Sequence, residues 1–113
     1  MDTYIIRQGD VLLRRVSALP DSKRLREVNR DEHSRLVLEY GEVTGHAHAV
    51  LSAGAKLYSV VDEAERVVGQ YLTVKEPTDL LHEEHGTITL PPGVYERWYQ
   101  MEYDGEEERR VLD

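Results

Sequence analysis

The sequence contains no cysteine and no phenylalanine among its 113 residues. The absence of cysteine excludes disulfide bonds and thiolate metal sites. No apolar run approaches the roughly 18 residues that a membrane-spanning helix requires, so no membrane partner is expected. The opening segment, MDTYIIRQGD, lacks the basic and apolar regions of a secretory signal, and a cytoplasmic location is therefore predicted.

Charge is plentiful but unevenly distributed along the chain. Acidic side chains number 22 against 14 basic ones, and the formal net charge is -8. This balance argues against binding to duplex DNA, because phosphate contacts need clustered lysine and arginine. Between residues 7 and 30, however, basic side chains outnumber acidic ones. This local excess predicts a surface that suits a small anionic ligand.

The apolar pattern is mainly that of β-strands separated by turns. Extended runs are predicted at TYIIRQ, VLLRRV, RLVLEY, KLYSVV, GQYLTV, TITL and VYERWYQMEY, with a last hairpin that turns at Asp104-Gly105. KLYSVV and GQYLTV are expected to pair across the DEAERV turn. The segment EPTDLLHEEHG predicts a short helix that Pro77 enters and Gly86 ends. Residues 17–34 predict a long loop or a second short helix.

Residues 1–113 are therefore expected to form a single domain of the α+β class that is mainly β. A curved sheet or partial barrel would carry one or two short helices. Alternation along the longest predicted strand places five side chains on one face: Tyr95, Arg97, Tyr99, Met101 and Tyr103. That face is expected to be a wall of the core or the floor of a polar binding site.

Four of the five histidines occur in two close pairs. His46 and His48 lie in GEVTGHAHAV, and His82 and His85 lie in HEEHG. Side chains share a face when they are two apart on a strand or three apart on a helix, so each pair is expected to converge. These four are the candidate catalytic or metal-binding residues, whereas the isolated His33 is expected to be solvated.

One hypothesis is a metal site. Neutral imidazole binds zinc, iron, manganese and nickel, and the four histidines could supply three or four ligands. The glycine-flanked HxH and the outline of GTITLPPGVYE resemble the cupins, which implies a metal-binding protein or a metalloenzyme. Ser52 and Ala53 stand where the cupin glutamate belongs, and Glu96 stands near the position of the last cupin histidine.

The second hypothesis is metal-independent acid–base catalysis with no cofactor. Imidazole has a pKa near ~6.5, so one histidine from each pair could serve as base and acid in cleaving an RNA-type phosphodiester. The ribose 2′-OH would supply the nucleophile. Basic side chains and one hydroxyl are expected to bind the phosphate: Arg14 or Arg15, Lys56 or Arg97, and Thr44.

The motifs QGDVLL, GEVTGHAH, LLHEEHG, LPPGVYE and QMEY, with the closing RRVLD, run along almost the whole chain. Together they resemble a family of small, mostly uncharacterised proteins of bacteria and their phages. In size and general layout the chain is also similar to the stand-alone ring nucleases of type III CRISPR systems, which have no CARF domain. That similarity implies a homodimer that binds cyclic oligoadenylate in a basic groove and cleaves it without a metal.

Weighed together, these features favour the phosphodiesterase hypothesis. A cupin-like site would lack its glutamate and its last histidine, and the basic segment suits an anionic substrate. Tyrosine rings could also stack adenine bases, at about 1–3 kcal/mol per base. The alternatives are the metal-binding protein and a non-catalytic module that binds a small ligand.

Overall fold

The computed structural model describes residues 4–41, 46–99, 101–104 and 107–110, the last two ranges by their backbone alone. Within these ranges the chain forms β-strands and no helix, and hence no helix able to cross a membrane. The strands in chain order are β1 (Ile5–Gln8), β2 (Val11–Val16), β3 (Leu25–Glu27), β4 (Leu36–Tyr40), β5 (Ala47–Val50), β6 (Ala55–Val61), β7 (Val67–Val74), β8 (Thr78–Leu81), β9 (Ile88–Leu90), β10 (Gly93–Trp98), β11 (Met101–Asp104) and β12 (Glu107–Arg110).

Two antiparallel sheets share one apolar core. The six-stranded sheet has the order β1-β2-β10-β7-β6-β3, and the four-stranded sheet has the order β4-β5-β8-β9. Leu13 and Leu72 from the larger sheet join Leu36, Val50 and Leu80 from the smaller one in a single buried cluster. The inward side chains of both sheets thus fill the space between them, as in a β-sandwich.

The prediction of an α+β fold is wrong, because the described residues are all-β. The predicted helix in EPTDLLHEEHG is strand β8 followed by a turn. Thr78 and Leu80 are buried while Asp79 is exposed, which is the alternation of a strand. Strand β8 bonds to β5 on one side and β9 on the other, and these ladders outweigh the local helix signals. Gly86, expected to end a helix, has a φ of 77° and closes the turn.

Of the other predictions about the architecture, some are confirmed and others are wrong. No helix occupies residues 17–34; strand β3 forms there and pairs with β6. Two facing sheets replace the predicted curved sheet or partial barrel. The pairing of β6 with β7 and of β11 with β12 is confirmed. The long strand predicted through Tyr103 is divided between β10 and β11.

One type of tight turn occurs twice, with the sequence Asp-Glu-x-x-Arg at residues 31–35 and 62–66. In each turn the aspartate carboxylate accepts the backbone N–H and the Nε–H of the arginine four residues later. These bonds, the backbone one foremost, lower the pKa of both aspartates. Ser34 and Glu65 take the fourth position with φ values of 62° and 63°, which is unfavourable for a residue with a Cβ.

The backbone strain at Glu65 can be measured by comparing two variants. Glu65→Gly relieves it, whereas Glu65→Ala removes the same side chain and its ion pair with Arg26 but keeps the Cβ. We expect the glycine variant to exceed the alanine variant by about 1 kcal/mol in free energy of unfolding. Left-handed backbone costs roughly 1–2 kcal/mol, and the freedom of unfolded glycine offsets part of this gain. Urea denaturation measures the difference, and equal stabilities would show that the turn is unstrained.

Candidate functional site

Histidines from both sequence pairs meet between β5 and the turn that follows β8, its neighbour in the smaller sheet. His48 lies on β5, and His82 and His85 lie in the turn after β8. The ring centroids of His48 and His82 are 4.2 Å apart, those of His82 and His85 are 4.6 Å apart, and those of His48 and His85 are 5.8 Å apart. His46 lies at the rim, with its ring centroid 6.4 Å from that of His82. We call these four residues the histidine cluster.

The ring of His82 shapes the turn that follows β8. Its Nδ1 atom accepts the backbone N–H groups of Glu84 and His85 at 3.0 and 3.2 Å, so the neutral ring carries its proton on Nε2. The carboxylate of Glu83 accepts the N–H of Ala47 at 2.8 Å and ties the turn to β5. This bond is the main reason that the pKa of Glu83 is lowered. A side-chain cap, rather than a helix, therefore brings His82 and His85 together.

Gln8, which the sequence analysis did not single out, connects strand β1 to the cluster. Its side chain is 2% exposed, and its Oε1 lies 2.8 Å from Nδ1 of His48. Its Nε2 donates to the carbonyls of Leu80 and Gly86 at 2.9 and 2.6 Å. The signal that could have revealed Gln8 is its strand position, which shares the inward face of β1 with the buried Ile6.

Gly9 makes room for the ring of His85. It has a φ of 57° in the turn between β1 and β2, and a Cβ added there would lie 2.7 Å from Nε2 of His85. The backbone conformation therefore favours glycine at this position, and a larger residue would displace the ring of His85.

A partly buried ion pair lies beside His48. Glu39 is the cross-strand partner of His48, and Arg97 donates to the Glu39 carboxylate at 2.6 Å. The register of β4 shifts at Leu38, and such a bulge takes a backbone group out of the strand ladder. The carbonyl of Leu38 accepts instead from Arg97 at 3.0 Å and from Gln70 at 3.1 Å.

The surroundings of His48 favour its neutral form. The side chain is 5% exposed, and loss of hydration is the largest cause that lowers its pKa from 6.5 to about 4. Positive charge on His82, His85 and Arg97 acts in the same direction, while Glu39 opposes it. His48 is thus an unprotonated imidazole at neutral pH.

Ring orientation limits what the cluster can bind. Imidazole lone pairs lie in the ring plane, but the rings of His48 and His85 are only 8° from parallel, and Nδ1 of His82 already serves the turn. Among the described residues, no three histidine, aspartate or glutamate side chains are placed to hold one metal ion. Nδ1 of His46 is buried and has no hydrogen-bond partner among the described residues. It lies 3.6 Å from the carboxylate of Glu84.

The predicted phosphate-binding residues are spread over the structure. Arg14 is paired with Glu96, whose second oxygen accepts the hydroxyl of Tyr71 at 3.0 Å. Arg15 donates to the carbonyl of Pro92 at 2.7 Å. Both arginines belong to β2, and their guanidinium groups bond to Glu96 of β10 and to Pro92 just before it, not to the histidine cluster.

The remaining predicted residues have different surroundings. Lys56 is exposed on β6, and Arg97 lies beside His48 through its bond to Glu39. Thr44 lies outside the described residues. Tyr95, a member of the predicted tyrosine face, is fully buried and donates its hydroxyl to the carbonyl of Pro91 at 2.6 Å. Burial raises the pKa of Tyr95, whose ring is part of the core and is not free to stack a base.

Comparison with known proteins identifies one family. A family model described as a domain of unknown function (DUF8820) matches residues 7–100. This range contains the whole histidine cluster together with Gln8, Gly9, Glu39 and Arg97. No curated protein and no solved structure matches the chain.

Stability should fall as the pH drops from 6.5 towards 4, because His48 takes up a proton in the unfolded chain but not in the folded one. The size of the pKa shift corresponds to about 3 kcal/mol in free energy of unfolding. His48→Asn retains a side-chain N–H for Gln8 but cannot titrate. In this variant the free energy of unfolding should depend less on pH between 6.5 and 4. Urea denaturation between pH 7 and pH 4 tests the expectation, with His33→Asn as the exposed control. An unchanged slope in His48→Asn would contradict it.

Proposed function

The chain belongs to the DUF8820 family, and we propose that it is a metal-independent phosphodiesterase that cleaves RNA-type phosphodiesters at the histidine cluster. The observation that carries this proposal is the convergence of His48, His82 and His85 from two chain segments, with ring centroids 4.2 to 5.8 Å apart. Cyclic oligoadenylate is the substrate class to test first.

His48 is the general base of the proposed reaction. Its low pKa keeps the ring neutral, and the negative charge of a bound phosphate raises this pKa towards neutral pH. The ring takes the proton of the ribose 2′-OH, and the 2′ oxygen forms a bond to phosphorus. The bond from phosphorus to the 5′ oxygen breaks, and a 2′,3′-cyclic phosphate results.

His85 and His82 have separate roles in this scheme. His85 is exposed and gives a proton to the departing 5′ oxygen. Neutral His82 donates its Nε2–H to a non-bridging phosphate oxygen, since its Nδ1 is held by the turn. Arg97 adds positive charge beside His48 while remaining paired with Glu39.

A metal site built from the same histidines receives less support. The nearly parallel rings of His48 and His85 do not direct their lone pairs to one centre between them. His82 would have to give up both backbone bonds of its turn before Nδ1 could act as a ligand. Proton transfer requires neither a reorientation of these rings nor the loss of the two backbone bonds to His82.

The decisive experiment is cleavage of cyclic oligoadenylate and single-stranded RNA in the presence of EDTA. We expect cleavage to persist and a 2′-deoxy analogue to resist, because the ribose hydroxyl is the nucleophile. His48→Asn should lower the rate by about 10²–10⁴-fold, the usual contribution of one acid–base partner. Chromatography of the products measures both effects.

His33→Asn is the matched control, because His33 is exposed in a turn and pairs only weakly with Glu32. It should cleave at the wild-type rate. Activity that disappears in EDTA and returns with a stoichiometric divalent metal would overturn the metal-free mechanism. Full activity of His48→Asn would overturn the assignment of the base.

A further inference from the structure

The side-chain amide of Gln8 makes three hydrogen bonds, which together allow it only one orientation. Its Nε2 lies 2.9 Å from the carbonyl oxygen of Leu80 and 2.6 Å from that of Gly86. Nitrogen and oxygen of a side-chain amide are assigned from such partners. Turning the amide over would bring Oε1 against two carbonyl oxygens, which cannot donate. The Gln8 oxygen therefore faces His48.

This orientation determines the tautomer of His48. Oε1 of Gln8 can only accept a hydrogen bond, and it lies 2.8 Å from Nδ1 of His48. Nδ1 must therefore carry the proton of the neutral ring, and Nε2 is left with a free lone pair. His82 has the opposite tautomer, because its Nδ1 accepts two backbone N–H groups. Neighbouring rings thus offer one acceptor nitrogen and one donor nitrogen.

We infer that Gln8 is a positioning residue that keeps the proton of His48 on Nδ1 and makes Nε2 the atom that accepts the substrate proton. The second half of this statement rests on the proposed function, while the tautomer does not. The same amide holds both ends of the turn that carries His82 and His85, through Leu80 and Gly86. One buried side chain therefore sets the chemical state of the base and the place of its partners.

Proton–nitrogen correlation NMR of the full chain tests the tautomer directly, because protonated and bare ring nitrogens differ widely in chemical shift. In the wild-type protein we expect His48 to be protonated at Nδ1 and bare at Nε2. Gln8→Met has similar volume but no acceptor, and the proton should distribute over both nitrogens. Gln8→Glu keeps an acceptor for Nδ1, so the proton of His48 should stay there; the second oxygen of the new carboxyl must hold a proton of its own in order to bond to the carbonyls of Leu80 and Gly86.

Gln70→Met is the matched control. Gln70 is also a buried glutamine, but its side chain donates to the carbonyl of Leu38 and accepts from Arg97, and it bonds to no histidine among the described residues. The tautomer of His48 should be unchanged in this variant. A wild-type His48 that carries its proton on Nε2 would overturn the inference, and so would a Gln8→Met variant that folds and keeps Nδ1 fully protonated.

Kinetics separate this inference from the proposed function. If cyclic oligoadenylate is cleaved in EDTA, kcat of Gln8→Met should fall by about 10²-fold with little change in KM, because Gln8 acts through His48 and not on the substrate. An unchanged kcat would overturn the positioning role. If no cleavage occurs but the NMR result holds, the proposed function fails and the assignment of the tautomer stands. If Gln8→Met does not fold, the wild-type and Gln8→Glu spectra decide.

Discussion

Polar atoms that are buried between two sheets need hydrogen-bond partners, and this requirement organises the part of the protein around His48. A buried guanidinium is costly unless it is paired and its N–H groups are satisfied. Arg97 meets this condition through the Glu39 carboxylate and the Leu38 carbonyl. The bulge in β4 is what makes that carbonyl accessible, so an irregularity of the backbone and a buried charge depend on each other.

The same requirement determines the electrostatic state of His48. A protonated ring there would lose its hydration and face the positive charge of Arg97, and the nearby Glu39 compensates only in part. The surroundings of His48 therefore resist a positive charge on its ring. The anionic substrate that we propose would change this balance, because its charge would stabilise the imidazolium that forms when His48 takes a proton. In the proposed reaction, proton transfer and binding of an anion would thus be coupled by the low polarity of the surroundings.

Several strands could be predicted from the sequence because alternation and glycine turns are local signals. The pairing of β6 with β7 follows from such signals. The prediction of a helix in EPTDLLHEEHG was wrong because it used local capping signals alone. Hydrogen bonds to β5 and β9, which are distant or later in the chain, keep β8 extended. Gln8 was missed for a related reason: its partner His48 is 40 residues away, and a single sequence does not reveal that contact. The clustering of histidines in the sequence, by contrast, was visible without any knowledge of the fold.

The formation of strand β8 and a turn where a helix was predicted also affects the chemistry of the histidine cluster. A helix would have left both nitrogens of His82 and His85 free to turn towards a common ligand, which is what a metal site needs. The observed turn uses Nδ1 of His82 to satisfy two backbone N–H groups that have no strand partner. The neutral ring can then only donate from Nε2, while Gln8 leaves the neighbouring His48 able only to accept there. Backbone N–H groups at His82 and the Gln8 side chain at His48 thus convert two chemically identical side chains into a donor and an acceptor, a difference that favours moving protons over holding a metal.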